Sequence, residues 1–224
     1  MSNIFRNLDW SMLYSAVLTV IPALICITFH ELAHGFTAYR LGDTTAKDMG
    51  RLTLNPVKHI DIFGLLMMVV FGFGWAKPVP VNMLSFEKPK RFMAVTAAAG
   101  PLSNIVLAAV VLVIYGVLAA PLGRGGVEGA GGIALELIYR TAYISVALAV
   151  FNLVPIPPLD GSKVLFSFFP EHLYFKLMRY ERYGMILLII VINTAAFSNT
   201  IGRMRAVLFD GLFVVAEAAF RLVN

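Results

Sequence analysis

The fold is decided by the apolar run at residues 11–39, SMLYSAVLTVIPALICITFHELAHGFTAY. A helix needs about 20 mostly apolar residues to cross the roughly 30 Å hydrocarbon core of a bilayer. This run is longer than that, and the ionisable side chains within it are His30, Glu31 and His34. Such groups are costly inside a membrane and usually functional. The run therefore predicts a membrane-spanning helix that carries a polar site.

The composition of the whole chain excludes most soluble classes. Apolar residues make up 59% of the 224 residues and charged residues 14%, whereas soluble domains average about 45–50% and 25%. A soluble domain of this size could not bury so much apolar side chain. The single cysteine, Cys26, excludes a disulfide scaffold, and the hydrophobicity excludes disorder. Because the basic residues flank apolar runs, nucleic-acid binding is not expected. The chain is predicted to be an integral membrane protein.

Further apolar runs continue this pattern along the chain. The second run has only 15 residues and contains three glycines, so we expect a re-entrant or interfacial segment there. We predict an all-α polytopic membrane protein with about four to six membrane segments and a short re-entrant or β-hairpin element near the active site. Residues 1–224 would form one domain, with a catalytic core at about 11–165 and C-terminal membrane segments at about 185–222. The further runs are 62–76, 92–118, 133–154, 185–201 and 207–222.

Basic residues are divided unevenly between the connections that join these runs. Twelve Lys and Arg residues follow the first, second and fourth runs, whereas four lie at the opposite ends. Short cytoplasmic loops of membrane proteins are enriched in Lys and Arg. We therefore expect the ends of the first and fourth runs on the cytoplasmic side. The short second segment would enter and leave the membrane on that same side.

The motif His30-Glu31-Leu32-Ala33-His34 carries the chemistry of the first run. Residues four apart lie on the same face of a helix, so both imidazoles can reach one metal ion. The Glu beside the first His can act as general base on a metal-bound water. The motif therefore predicts a hydrolytic metal site.

A catalytic zinc site usually has three protein ligands, so the two histidines need a further partner. Asp160 is the strongest candidate because it follows the fourth run in a turn with three prolines. Prolines break the helix and leave extended backbone, which at membrane depth is tolerated only inside protein or beside water. The charge distribution also places this turn on the side of the histidines. The weaker candidates are Glu87, Glu128 and Glu136.

Two motifs together carry a resemblance to a known family. The chain pairs His30-Glu31-Leu32-Ala33-His34 with Asn152-x-x-Pro155-x-Pro157-Pro158-Leu159-Asp160-Gly161. This pairing resembles the site-2 protease family of intramembrane zinc metalloproteases, in its compact prokaryotic branch without PDZ or CBS domains. Similar segments occur at residues 50–56, 77–82 and 98–104.

The resemblance implies a role for each residue of the two motifs. His30, His34 and Asp160 would bind one zinc ion per chain. Glu31 would activate the attacking water, and Asn152 would hydrogen-bond the substrate or the oxyanion. The substrate would be a transmembrane protein or peptide, cut in or near its membrane segment. The enzyme would lie in the bilayer of a prokaryotic inner membrane, with its active site towards the cytoplasm.

Two short segments are expected to bind the substrate strand. Residues 52–55 and 78–82 alternate small, apolar and polar side chains, with prolines that suit a sheet edge. The resemblance implies sheet there, and an unwound substrate could pair with it by β-augmentation.

Other interpretations stay open at this point. The rival function is a membrane metal transporter or sensor that uses the same His and Asp side chains; a third is a catalytically inactive scaffold. Cys26 lies one turn before His30 and could face the metal, although buried free cysteine is commonly a small apolar residue. His59 could pair with Asp61. Asn104 is expected to make a polar contact between closely packed helices.

Overall fold

The computed structural model describes residues 10–71, 75–123 and 129–223. These residues form nine α-helices and, apart from one isolated β-bridge, no strand. Two short 3₁₀ helices, Pro56–His59 and Met83–Ser85, lie in the connections. The α-helices are α1 (Trp10–Arg40), α2 (Thr45–Asp48), α3 (Ile62–Phe71), α4 (Pro89–Gly123), α5 (Ala130–Asn152), α6 (Asp160–Phe166), α7 (Glu171–Arg179), α8 (Glu181–Ile192) and α9 (Ala195–Val223).

Three of these helices are long and apolar enough to cross a membrane. They are α1, α4 and α5, in which the candidate spans have mean hydropathies of 1.9, 2.7 and 1.6. Helices α8 and α9 qualify only together, and they are bent by 84° at the break between them. The described residues thus contain three candidate spans, or four if the bent pair counts as one. The prediction of an all-α membrane protein is confirmed, at the lower end of the expected number of segments.

The predicted boundaries of the last two apolar runs are wrong. The sequence indicated an interruption between residues 201 and 207, whereas α9 continues through that stretch and the break lies at Asn193 and Thr194. The Asn193 amide donates to Ile189 O and the Thr194 hydroxyl to Val191 O, each at 2.7 Å. Side-chain hydrogen bonds of this kind compete with the helical ladder and end α8.

The main apolar core lies between α4, α5 and α9. It contains the buried side chains of Leu112, Val146 and Phe209 together with small alanines. Small residues permit close helix approach: a Cβ added at Gly116 of α4 would overlap the Ala216 carbonyl of α9. Helix α1 packs against α4 and α5 and is thereby fixed relative to this core.

The short second apolar run folds back on itself. Helix α3 follows Ile60, and the chain returns at Ala76, which forms an antiparallel bridge with Ile60. Next to this bridge, Lys77 N donates to His59 O at 2.9 Å. Residues 72–74 lie outside the described residues. The two ends of the run therefore lie side by side, as the re-entrant prediction requires.

The segments expected to form sheet contain no strand: residues 53 and 54 form a bend, and residues 78–82 join no backbone ladder among the described residues. Pro78 and Pro80 have no N–H to donate to a ladder. The carbonyls of Lys77 and Pro78 accept hydrogen bonds from the buried Arg51 guanidinium, at 2.8 and 3.3 Å. The prediction of sheet is wrong for residues 52–55 and 78–82. A side chain occupies backbone carbonyls that a neighbouring strand would use: His59 lies at Thr53 O in the first segment, and Arg51 donates to Pro78 O in the second.

Candidate metal centre

The two histidines of the motif project from the same face of α1 towards α4. Their ring centroids are 4.5 Å apart, and both side chains are buried. Gly100 of α4 makes room for them: a Cβ at this position would lie 2.7 Å from His30 Cε1 and overlap the His34 ring. The bare backbone of Gly100 therefore allows both rings to sit between α1 and α4.

Asp160 reaches the histidines from the first turn of α6. The cis peptide bond between Pro157 and Pro158 lies in the turn that joins α5 to α6. Gly161 permits α6 to begin directly against the end of α5, because a Cβ there would overlap the Leu153 carbonyl. This close contact places the Asp160 carboxyl beside the two histidine rings, and the Asp160 side chain is buried there.

Three potential ligand atoms converge at this point. The Nε2 atoms of His30 and His34 are 3.0 Å apart, and each lies 3.1 Å from Asp160 Oδ2. In a tetrahedral zinc site with bonds of 2.0–2.1 Å, ligand atoms are about 3.3 Å apart. Two imidazoles and one carboxylate are also a donor set typical of catalytic zinc. The residues present therefore fit a zinc ion.

The surroundings of Asp160 favour the charged form of its carboxyl. Burial alone raises the pKa of this carboxyl, but the interactions with His30 and His34 at 3.1 Å outweigh this effect and hold the pKa well below its usual range. Oδ2 is nevertheless buried without a hydrogen bond of good geometry. A buried carboxylate oxygen without such a bond needs a compensating charge, which a metal ion would supply.

A contact at Nδ1 of His34 determines which ring nitrogen carries the proton. Its Nδ1 lies 2.7 Å from the backbone carbonyl of Thr96. Because a carbonyl can only accept a hydrogen bond, Nδ1 of the neutral ring carries the proton and Nε2 keeps its lone pair. A ligand histidine typically makes this kind of contact through its other nitrogen. His34 is thus oriented to bind a metal through Nε2.

Glu31 lies beside the three ligand atoms, held by the extended segment that follows Ala76. Its Oε2 accepts a hydrogen bond from Val79 N at 2.7 Å. The same segment is fixed by the Arg51 guanidinium and, at its far end, by Asp43, whose Oδ2 accepts from Asn82 N at 2.6 Å. The buried Asp43 and Arg51 side chains therefore position the backbone that holds Glu31.

A cavity of about 420 Å³ opens at this cluster. His30, Glu31, His34 and Asp160 line it, and so does Asn152 at the end of α5. The Asn152 amide donates to the carbonyl of Leu148, within its own helix, at 3.0 Å. An ion pair of 3.8 Å between Lys163 and Glu181 lies at the same cavity. The five residues of the two motifs thus share one cavity.

Comparison with known proteins gives a consistent assignment. Residues 127–192, which include Asn152 and Asp160, match the model of peptidase family M50. The chain is 36% identical over 208 residues to YwhC of Bacillus subtilis (strain 168), a protein assigned as a zinc metalloprotease. This match covers 90% of the chain and 92% of YwhC. The chain belongs to peptidase family M50.

Two further relatives carry the same assignment. Rip2 of Mycolicibacterium smegmatis is 28% identical over 187 residues, covering 82% of this chain and 69% of Rip2. Rip2 of Mycobacterium tuberculosis (strain H37Rv) is 31% identical over 160 residues, covering 68% of this chain and 58% of Rip2. No solved structure matches the chain significantly. The resemblance to site-2 proteases is therefore confirmed, and the M50 peptidase is a zinc metalloprotease and an integral membrane protein.

The structure places the other candidate ligands of the M50 peptidase away from the cluster. Cys26 Sγ contacts Thr141 O at 3.3 Å, between α1 and α5. Glu136 forms the ion pair with Arg140 that its i, i+4 spacing suggests, with 2.6 Å between Arg140 Nε and Glu136 Oε1. Glu87 is exposed and has no place in the group of potential ligands, and Glu128 lies outside the described residues.

The expected pairing of His59 with Asp61 is wrong. His59 is buried, and its Nε2 lies 2.9 Å from Thr53 O, so it fixes the loop before α3. Asp61 instead accepts a hydrogen bond from Gly64 N at 2.9 Å, at the start of α3. The N-terminal N–H groups of a helix lack partners within the helix, and Asp is a preferred residue for binding them.

The predicted polar contact of Asn104 between packed helices is confirmed, but sequence reasoning missed its partner. The Asn104 amide of α4 faces His30 Nδ1 of α1 at 3.3 Å. A signal was present in the spacing, because Asn104 follows Gly100 by four residues and thus shares its helix face. This spacing points to His30 only once it is known that Gly100 packs against the histidines.

Proposed function

We propose that this M50 peptidase is an intramembrane endopeptidase that hydrolyses a peptide bond in or near a transmembrane segment of its substrate. The observation that carries the proposal is the position of the cavity beside the C-terminal part of α1, within the range of this helix that is long and apolar enough to span. His30, Glu31 and His34 of that helix line this cavity together with Asp160. A metal-dependent peptidase site within a membrane helix suits a substrate that itself lies in the membrane.

The roles of the side chains follow from their chemistry. Zinc held by His30, His34 and Asp160 would supply a Lewis acid that polarises the scissile carbonyl and acidifies water. The Glu31 carboxylate would accept the proton of the attacking water and pass it to the leaving amine. Val79 N–H holds one oxygen of Glu31 and leaves the other for this transfer. Asn152 would donate to the oxyanion after giving up its bond to Leu148 O.

The substrate would bind as an extended chain. A transmembrane helix must lose its backbone hydrogen bonds before a peptidase can attack it, and an exposed strand edge can replace them. Val81 lines the cavity, and among the described residues no acceptor is found for its N–H. The substrate backbone would accept a hydrogen bond from this N–H, at one position of residues 78–82.

The orientation of the protein in the membrane is inferred from the distribution of its basic residues. The connections after the first, second and fourth apolar runs carry twelve basic residues against four at the opposite ends. By the positive-inside rule, the cavity would face the cytoplasm. The membrane would be the inner membrane of a prokaryote, because the relatives named above are bacterial.

The substitution Glu31→Gln tests the mechanism. A glutamine keeps the shape of the side chain and an oxygen that can accept from Val79 N–H, but it cannot take up the proton. We expect the variant to retain zinc and to lose cleavage by about 10²–10⁴-fold, the usual contribution of a general base. The assay is cleavage of a single-pass transmembrane polypeptide co-reconstituted in liposomes, with zinc content measured in the same samples. An active Glu31→Gln protein would contradict the proposal.

A further inference from the structure

Asn104 lies directly behind the metal centre, on the side of His30 that faces away from the other ligand atoms. Its side chain is 0% exposed, and its Nδ2 is 3.3 Å from His30 Nδ1. Its backbone carbonyl faces α5, where the buried Ser145 hydroxyl donates to Asn104 O at 2.8 Å. Asn104 therefore has a fixed position between α1, α4 and α5.

A histidine that binds a metal through Nε2 must carry its proton on Nδ1. That proton needs an acceptor, since a buried N–H without a partner is costly. For His34 the acceptor is the Thr96 carbonyl. For His30, the polar group found at Nδ1 among the described residues is the Asn104 amide. Metal binding by His30 therefore depends on whether Asn104 offers an acceptor atom to the proton on Nδ1.

The Asn104 amide has an unused oxygen. Oδ1 is buried and makes no hydrogen bond, while Nδ2 faces His30. A rotation of 180° about the last side-chain bond exchanges the two atoms and places Oδ1 at Nδ1 of the ring. The rotated amide accepts a hydrogen bond where His30 must donate one.

We propose that Asn104 is a positioning residue of the metal centre: its amide oxygen accepts from His30 Nδ1–H and fixes the tautomer and ring orientation that allow Nε2 to bind zinc. This inference rests on the proposed role of His30 as a ligand. With this hydrogen bond, Nδ1 of each histidine faces a carbonyl oxygen: the backbone carbonyl of Thr96 for His34, and the side-chain carbonyl of Asn104 for His30. Partners of this kind typically contribute 10–100-fold to metal affinity.

Two substitutions separate this role from simple packing. Asn104→Leu keeps a similar volume but has no acceptor, whereas Asn104→Asp keeps an oxygen at the same place. Ser145→Ala is the matched control, because it removes a buried hydrogen bond at the same helix contact without touching His30. If Asn104→Leu does not fold, Asn104→Ala removes the same acceptor with less bulk.

The measurement is zinc affinity of the purified full chain in detergent, by competition with a chelator of known affinity, with helix content checked by circular dichroism. We expect Asn104→Leu to bind zinc 10–100-fold more weakly, and Asn104→Asp and Ser145→Ala to stay within about threefold of the wild type. The absorption spectrum of bound Co²⁺ should change only in Asn104→Leu.

The possible failures are distinguishable. Wild-type affinity in folded Asn104→Leu would overturn this inference and leave the proposed function intact. Equal losses in Asn104→Leu and Asn104→Asp would also overturn it, because the acceptor would then be irrelevant. If the wild type binds no zinc, the proposed function fails together with the inference.

Discussion

At the scale of single residues, the metal centre depends on Gly100, a residue without a side chain. Gly100 leaves the backbone of α4 in contact with both imidazoles, and a Cβ there would overlap the His34 ring. The absence of a side chain at position 100 is therefore as much part of the site as the histidines themselves.

The substitution Gly100→Ala should lower zinc affinity by at least about 10-fold, because the added methyl group displaces ring nitrogens that must converge on one ion. The measurement is metal content after dialysis against a defined zinc buffer. Gly202→Ala is the control, since a Cβ at Gly202 of α9 meets nothing within 4 Å. Wild-type zinc content in the Gly100→Ala protein would show that the rings can rearrange.

At the scale of elements, the extended segment at residues 77–82 holds the proposed general base through its backbone. Val79 N–H donates to Glu31 Oε2, and the Arg51 guanidinium binds the carbonyls of Lys77 and Pro78, which directly precede this N–H. The segment that would bind the substrate therefore also positions a residue that would act on it. Movement of the segment would disturb both functions together.

Val79→Pro should reduce cleavage by about 10²-fold, because it removes the N–H that holds Glu31 and small displacements of catalytic groups have effects of this size. The neighbours Pro78 and Pro80 already impose an extended backbone that tolerates proline. Val79→Ala, which keeps the N–H, should retain most of the activity. Zinc content should be unchanged in both variants, and full activity of Val79→Pro would exclude this role of the backbone.

At the scale of the whole molecule, the three longest spans could be predicted because their signal is local. An apolar run of sufficient length forms a membrane helix whatever its neighbours are, so α1, α4 and α5 follow from the sequence. The break at Asn193 and Thr194 could not be predicted, since Asn and Thr favour helix ends but also occur within helices. The change of direction depends on side-chain hydrogen bonds that only the structure reveals.

The same distinction applies to the metal centre. The spacing of His30 and His34 is a property of one helix and could be predicted, although their role as ligands remains a prediction. That Asp160 lies beside them depends on the turn after α5 and on the close packing at Gly161. The contact of Asn104 with His30 joins residues distant in the chain, and only the packing of α4 against α1 produces it.

The proposed orientation can be tested across the whole molecule with single cysteines. The native Cys26 is 0% exposed and should give little background. Lys58→Cys, in an exposed loop, should react with a membrane-impermeant maleimide only in inside-out vesicles. Ala130→Cys, at the start of α5, should react only in right-side-out vesicles. The reverse pattern would place the cavity on the outer side of the membrane.

The convergence of His30 and His34 with Asp160 has a consequence for the stability of the protein and its degradation in the cell. A bound ion would cross-link α1 to α6, which are far apart in the chain, and would bind only the folded state. At 1,000 times its dissociation constant such an ion adds about 4.1 kcal/mol to the free energy of unfolding. A chelator should therefore lower the unfolding temperature of the wild type and leave that of Asp160→Ala unchanged. A cell starved of zinc would then lose this protein to degradation, and not merely its activity.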